Sequence, residues 1–273
     1  MAEAPRGRST GRVFTTQSGS PKLVRCAVLF IDLLGVRQLN RSPDRRKHLV
    51  ALERAVAGSY RDYLRPDATL PASFFSDTLV VAAPVEALGS DARAIDKLLL
   101  RAASLHVNLM AEGFFLRGGL ALGEFHIHDG LIFGPALVHA AELEHDVAVH
   151  PRIVLSRDAE RAQLDAASTY PSPNDAPQNL LLLRDSDGWT FIDYLAPLVV
   201  TGPKDPRPTL ERHRDRICGR LEEHRANKRV WEKYRWAAEY HNDVIRRHLP
   251  GADDLYVNAA SMTWQFQPFT AAA

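Results

Sequence analysis

Two stretches decide how this chain folds: Val28-Leu29-Phe30-Ile31-Asp32-Leu33-Leu34-Gly35-Val36 and Phe74-Phe75-Ser76-Asp77-Thr78-Leu79-Val80-Val81. Each sets one aspartate at the end of, or between, runs that read as buried strand. Burying a carboxylate there is costly unless something pairs with its charge. Two such acids, 45 residues apart, invite one explanation, that they share metal ions.

Outward from these stretches, the chain predicts strand, helix, strand, strand, helix, strand. Val24 to Ile31 is a strand apolar enough to be central. Ser42 to Tyr63 is a helix, with Ser42-Pro43-Asp44 as its start and Leu49, Leu52, Val56 and Tyr60 at helical spacing. Ala72 to Phe75 and Thr78 to Ala82 make a hairpin across Ser76-Asp77, a turn without the favoured glycine. Asp91 to Glu112 is a helix closed by Gly113. Phe114 to Leu122 and Glu124 to Phe133 read as a second hairpin, Pro135 to Glu144 as helix and Arg152 to Leu155 as a short strand. This order describes an α+β, ferredoxin-like core, an antiparallel sheet with helices on one face. Leu180 to Leu183 and Trp189 to Ile192 suggest a terminal hairpin, and Thr209 to Leu249 a long charged helical stretch. Residues 1–22, rich in Arg, Ser, Thr and Gly, read as a flexible N-terminal arm, and 251–273 as a tail.

Bulk properties exclude several classes. The 273 residues carry a net charge of +1, which leaves no footprint for bulk nucleic-acid binding. No apolar run approaches the roughly 20 residues of a membrane span, and no apolar segment follows the basic N-terminus as a secretory signal requires. Cys26 and Cys218 stand far apart without partner ligands, so neither a disulfide framework nor a zinc-cysteine site is expected. The default compartment is a reducing cytoplasm.

In the predicted sheet the end of the first strand lies near the hairpin turn, so Asp32 and Asp77 can point at one spot. Bare carboxylates that close repel, and divalent cations resolve the repulsion. Oxygen-only ligands select hard ions such as Mg²⁺ or Mn²⁺, which complete their shells with water and substrate phosphates. Leu33, Leu34, Gly35 and Val36 form a Gly-containing turn whose backbone N–H groups can cradle phosphate. Metal ions beside a phosphate cradle imply phosphoryl or nucleotidyl transfer.

These residues resemble the class III nucleotide cyclases. Phe30-Ile31-Asp32-Leu33-Leu34-Gly35-Val36 is similar to that family's first metal motif, and Ser76-Asp77 stands where its Gly-Asp hairpin does. Leu116-Arg117-Gly118-Gly119-Leu120-Ala121-Leu122-Gly123-Glu124 resembles its later strand, and the run from Phe133-Gly134 to Ala140-Ala141-Glu142-Leu143-Glu144 its following helix. The match covers roughly residues 24–157. It implies a cyclase catalytic domain over 23–200, two Mn²⁺ or Mg²⁺ ions on Asp32, Asp77 and the Leu33 carbonyl, and a homodimer supported by a helical extension over 205–250.

The departures are as informative. Ser73 and Leu131 occupy the positions of the purine-reading residues, and neither carries the charge such a reader uses. Val138 and Glu142 fall where the family keeps its transition-state Asn and Arg. These departures, with the Phe-Ser-Asp-Thr-Leu-Val hairpin and the segment from Lys233-Tyr234-Arg235-Trp236 to Tyr240-His241-Asn242, resemble the pyrimidine cyclases of Pycsar antiphage defence. That resemblance implies conversion of UTP, placed ahead of CTP without a residue-level reason, to the 3′,5′-cyclic monophosphate (cUMP or cCMP) and pyrophosphate. The product would activate a separate effector protein.

Arg117 is read evenly as a triphosphate or transition-state ligand and as a salt-bridge partner. Arg37 reads as a solvated helix position, and Glu142 and Glu144 as solvated. His126, His128, Asp129, His139, His145 and His150 lack a third ligand at metal spacing and read as surface hairpin residues. Trp231, Tyr234, Trp236 and Tyr240 read as helix packing or a dimer contact. The alternatives are a degenerate cyclase-like binding or dimerisation module and a purine cyclase with unusual base readers. A diguanylate cyclase is disfavoured because its Gly-Gly-(Asp/Glu)-Glu-Phe hairpin is absent.

Overall fold

A strand that is apolar on both faces belongs at the centre of a sheet, and β1 (Val24–Leu33) lies there in a computed structural model of the chain. The structure describes residues 13–36, 41–59, 70–172, 175–258 and 264–272. Ala27, Leu29, Ile31 and Leu33 of β1 enter one buried cluster; Val24, Cys26 and Val28 enter another on the opposite face. The elements that follow are α1 (Arg45–Ser59), β2 (Ala72–Phe75), β3 (Thr78–Pro84), α2 (Val85–Leu88), α3 (Asp91–Ala111), β4 (Leu116–His128), β5 (Leu131–Phe133) and α4 (Pro135–Glu142). A π-helical turn over Leu143–Val147 continues α4. Then come β6 (Ile153–Leu155), α5 (Arg157–Ala167), α6 (Gln178–Leu181), β7 (Leu182–Asp185), β8 (Thr190–Ile192), α7 (Ala196–Val200), α8 (Arg207–Glu223), α9 (Lys228–His248) and β9 (Phe266–Pro268).

The sheet runs β2-β3-β1-β4-β6-β8-β7-β9, with β5 folded back on β4. The named pairs are antiparallel except β4 with β6. The β2-β3-β1-β4 part is the order expected of a ferredoxin-like α+β core. The helices, however, occupy both faces. α3 packs with Leu29 and Ile31, whereas Ala136 of α4 packs with Val28, Val80 and Ala82. The crossing of α4 depends on Gly119. A Cβ there would stand 2.2 Å from the Ala140 carbonyl oxygen and 2.7 Å from Leu143 Cβ.

Local signals explain most element ends. Ser90 caps α3 by accepting from the Arg93 amide at 3.2 Å. Gly113, at φ +93°, ends it in the left-handed conformation that favours glycine. The second hairpin is displaced from its expected position: β4 runs straight through Gly123, and the turn is Asp129-Gly130, with φ of +48° and +82°. That Asp-Gly pair is itself a strong hairpin signal. Of the helix expected over 42–63, residues 60–63 lie outside the described residues, as do residues 1–12 of the expected arm.

The ends of the chain are packed more closely than expected. Phe14, which falls within the expected arm, is fully buried against Phe125. The stretch 205–250 is two helices, α8 and α9, parted at His224–Asn227, and both contribute to the main core through Ile217, Trp236 and Tyr240. β9 adds a strand from the expected tail beside β7. The indole N–H of Trp236 donates to Asp185 at 2.8 Å, and the buried Arg152 guanidinium pairs with Asp185 and Asp187. No helix among the described residues is long and apolar enough to cross a membrane.

Beside this network runs a chain of buried imidazoles whose hydrogen-bond directions are fixed by its end. His241 Nε2 meets the Leu255 carbonyl at 2.9 Å and must donate. In the neutral ring, Nδ1 then accepts from His213 Nδ1 at 2.9 Å, and His213 Nε2 accepts from the Tyr194 hydroxyl at 2.9 Å. Burial holds His241 down to about 4.

Two outcomes are expected. Gly119→Ala should destabilise the fold by about 3 kcal/mol, the upper range of overpacking, read as a lowered urea midpoint. An unchanged midpoint would contradict the close approach of α4. In acid, the unfolded chain protonates His241 first, so stability falls as pH drops from about 6.5 toward 4, by on the order of 3 kcal/mol for this residue. Gln can donate to Leu255 and accept from His213 without titrating, so His241→Gln should flatten that slope in urea titrations.

Candidate functional site

Asp32 ends the central strand, and Thr78 and Arg117 lie beside it on the two neighbouring strands. The β2–β3 turn is pinned to the same place: the Leu33 amide donates to the Asp77 carbonyl at 3.2 Å. Ser76 takes φ +56° in that turn, a left-handed conformation costing a non-glycine residue roughly 1–2 kcal/mol. Its hydroxyl donates to Asp77 Oδ1 at 2.8 Å. The two expected acids are therefore brought together, and Asp77 contributes to raising the Asp32 carboxyl above its ordinary range. Burial is the larger cause, and Arg117 opposes both.

Arg117 takes the salt-bridge role that its sequence reading allowed. Its Nη2 and Nε lie 3.3 and 3.4 Å from Asp32 Oδ2. The same Nε lies 2.6 Å from Glu144 Oε1, an ionic contact whose N–H is not aimed at the oxygen. Glu144 is 6% exposed, which overturns its reading as a solvated residue. The π turn lowers it onto the sheet, and such turns recur at functional sites. Burial raises its carboxyl, Arg117 counters, and Asp32 adds to the rise. Lys233 of α9, half-buried, completes the group within electrostatic reach of Asp32, Glu144 and Arg117. Burial lowers its ammonium, with Arg117 and Arg229 adding to the effect and the two acids opposing it. Glu144 and Lys233 are absent from the sequence-derived site. In the sequence Glu144 only closes the run from Phe133, on a turn whose π geometry is invisible to a helical count.

The phosphate cradle is narrower than expected. The Leu33 amide is committed to Asp77, and the Leu34 amide donates to the Phe115 carbonyl at 2.9 Å. Of the four residues, Gly35 and Val36 remain for that role. Gly35, at φ +86°, has nothing within 4 Å of where a Cβ would lie, so its glycine serves the turn itself. Arg37 lies outside the described residues.

No group of three or more His, Cys, Asp or Glu side chains among the described residues is arranged to hold a metal ion. The donors that the structure brings together here are two carboxylates, those of Asp32 and Asp77, a set short of a full shell. It suits a hard divalent ion that takes the rest of its shell from water and phosphate, and the mutual repulsion of Asp32 and Asp77 gives such an ion an electrostatic purpose. The histidines are dispersed. His126, only 4% exposed, contacts the Lys22 carbonyl at 3.0 Å, and His150 stacks on Trp236. Trp236, Tyr240 and Tyr234 are buried within this chain, so they serve helix packing. An apolar cavity of about 270 Å³ under α1 reaches Asp77 and Glu53 but is otherwise lined by residues such as Ile31, Leu79 and Leu109. It offers little to hydrogen-bond a nucleobase.

Removing the cation between the acids tests these electrostatics. Arg117→Met should raise the Asp32 carboxyl pKa further, followed by NMR titration of the carboxyl carbons, and should cost about 1–3 kcal/mol of stability. A fall in that pKa would contradict the ion-pair geometry.

No protein-family model matches the chain, and no curated protein matches it. Among solved structures, the adenylyl cyclase CyaB from P. aeruginosa is 15% identical, with a TM-score of 0.45 over 63% of this chain and 95% of that one. An adenylate/guanylate cyclase/hydrolase from Silicibacter pomeroyi is 16% identical, with a TM-score of 0.41 over 63% of this chain and 98% of that one. A class III adenylyl cyclase-like ATP-binding protein from Pseudomonas aeruginosa is 13% identical, with a TM-score of 0.43 over 59% of this chain and 39% of that one. Overlaps of this depth assign neither an activity nor a substrate to this chain.

Proposed function

We propose that this chain is a metal-dependent nucleotide cyclase of the class III type. It closes a pyrimidine nucleoside triphosphate, UTP before CTP, to the 3′,5′-cyclic monophosphate. The observation that carries this reading is the meeting of Asp32, from the end of β1, with Asp77, from the β2–β3 turn, at one end of a ferredoxin-like sheet. In the reaction the ribose 3′-oxygen bonds to the α-phosphorus, the bond to the bridging oxygen breaks, pyrophosphate leaves and the hydroxyl proton is lost. Mn²⁺ or Mg²⁺ on Asp32, Asp77 and the Leu33 carbonyl would lower the pKa of that hydroxyl and neutralise phosphate charge. Asp32 and Asp77 fix the place of the reacting phosphate, Gly35 and Val36 offer the remaining backbone of the turn, and Arg117 supplies a fixed cation beside them.

The pyrimidine preference rests on Ser73 and Leu131, which bring no charge to the purine-reading positions. Leu131, Phe133 and Val138 are 57%, 63% and 57% exposed on β5 and α4, an apolar surface that suits a second copy in a homodimer. In this reading the product acts on a separate effector in antiphage defence.

A second reading, a nucleotide-binding module without turnover, is favoured by Val138 and Glu142 at the transition-state positions and by the engagement of Arg117 with two acids. Incubating the protein with each of the four ribonucleoside triphosphates and Mn²⁺, then identifying products by mass, decides between them. Cyclic UMP and pyrophosphate are expected, and Asp77→Ala should abolish both while leaving the circular dichroism spectrum unchanged. A cyclic purine product would overturn the base preference. Binding without product would leave the module.

A further inference from the structure

The apolar cavity of about 270 Å³ under α1 has no part in the reaction proposed above. Its walls are Ile31 and Leu33 of β1, Leu79 of β3, Leu105 and Leu109 of α3 and Leu116 of β4, all buried. Protein interiors are close-packed and keep few voids larger than a water molecule. A space of this size among buried leucines is therefore more than a packing remainder. An apolar wall gives water few hydrogen-bond partners, so hydrocarbon enters such a space more readily than water does. The wall reaches the surface at Glu53, Ala57 and Phe74, each exposed, which gives a ligand a way in. Charge enters the wall at two residues, Glu53 of α1 and Asp77 of the β2–β3 turn, and both are acids. Asp77 accepts from the Ser76 hydroxyl at 2.8 Å, and among the described residues no cation pairs with either carboxylate. Two acids without a counter-charge repel an anionic head group and attract a cationic one.

We propose that this cavity is a binding site for a small primary amine with an apolar body. A dry apolar cavity of about 150 Å³ accepts benzene, so this larger one has room for a single ring or a chain of about six to eight carbons. The hydrocarbon lies among Leu105, Leu109 and Leu116, and the ammonium donates to the carboxylates of Glu53 and Asp77. Asp77 is also one of the acids that the cyclase reading gives to the metal, so a bound amine occupies it and slows turnover. Only this consequence rests on the cyclase reading. The binding itself needs neither nucleotide nor metal.

The test is NMR titration of the full chain, free of metal and nucleotide, with hexylamine, hexanol and hexanoate. The three share one apolar body and differ in charge, and the methyl resonances of Ile31, Leu105 and Leu109 report on the cavity. Hexylamine should shift these methyls saturably, with an affinity about ten-fold above that of hexanol, as one charge-assisted contact supplies. Hexanoate should bind most weakly. Glu53→Gln combined with Asp77→Asn should erase the difference between amine and alcohol. Ala57→Phe, at an exposed position of α1, should weaken the binding of all three compounds while the melting temperature holds. Methyls unmoved by any compound would overturn the site, and undiminished binding to Ala57→Phe would place the ligand elsewhere. Hexanoate binding as tightly as hexylamine, or an amine preference that survives the double substitution, would overturn the choice of an amine. In turnover assays saturating hexylamine should suppress cyclic product. Unchanged turnover with the cavity filled would remove the ammonium from Asp77 and leave the cyclase reading standing. Amine binding with no cyclic product from any triphosphate would keep the site and remove the cyclase reading.

Discussion

The site depends on a side chain that is not there. Between Gly119 of β4 and the backbone of α4 there is no room for even one methyl group, with Ala140 oxygen 2.2 Å from where a Cβ would stand. Gly118 is equally confined, since its Cβ would lie 2.4 Å from the Phe30 carbonyl. Interiors are packed to near-crystalline density, so this approach fixes the depth of α4 rather than merely permitting it. At that depth the π turn after α4 carries Glu144 down to Arg117, and Arg117 in turn lies beside Asp32 in the β1–β4 register. A residue with no functional group thus sets the spacing of three charged ones.

That spacing produces an uneven charge balance. Asp32, Asp77 and Glu144 bring three carboxylates, and Arg117 and Lys233 bring two cations. Burial raises both the Asp32 and the Glu144 carboxyls; Asp77 adds to the rise at Asp32, and Asp32 to the rise at Glu144. The guanidinium between them lowers both, which makes Arg117 the group that keeps the cluster compact. A fork of fixed N–H groups suits that bridging role better than a point charge would.

Much of the fold was legible because the deciding signals are local. The two-sided apolarity of Val24 to Ile31 put β1 at the centre, Gly113 marked the end of α3, and the strand order followed from counting elements. What was misread is non-local or concerns faces. β4 was cut at Gly123 although the chain crosses it as one strand, while Asp129-Gly130 carried the turn signal. The charged sequence of α8 and α9 suggested an appendage, yet their apolar residues, from Leu210 to Ile245, complete the main core. In the site, Asp32 and Asp77 stood out because an acid among strand residues is energetically odd. Glu144 did not, because an acid near a helix end is ordinary until a π turn buries it.

The incorporation of α9 changes what the C-terminal third is for. Trp236 donates its N–H to Asp185 at 2.8 Å, Asp185 also pairs with the buried Arg152, and the Arg152 carbonyl accepts from the Gly118 amide at 3.1 Å. One chain of contacts therefore runs from α9 through the β7–β8 turn to the glycine pair beneath α4. Buried ionic groups of this kind contribute little net stability against an apolar packing of equal volume, but a partner left alone is costly. Their effect is to fix relative position. The helix that carries Lys233 and the strand that carries Arg117 are held to a common register by polar contacts with defined directions, which apolar packing alone specifies less sharply. The C-terminal helices are thus part of the frame that holds the strands of the site in register.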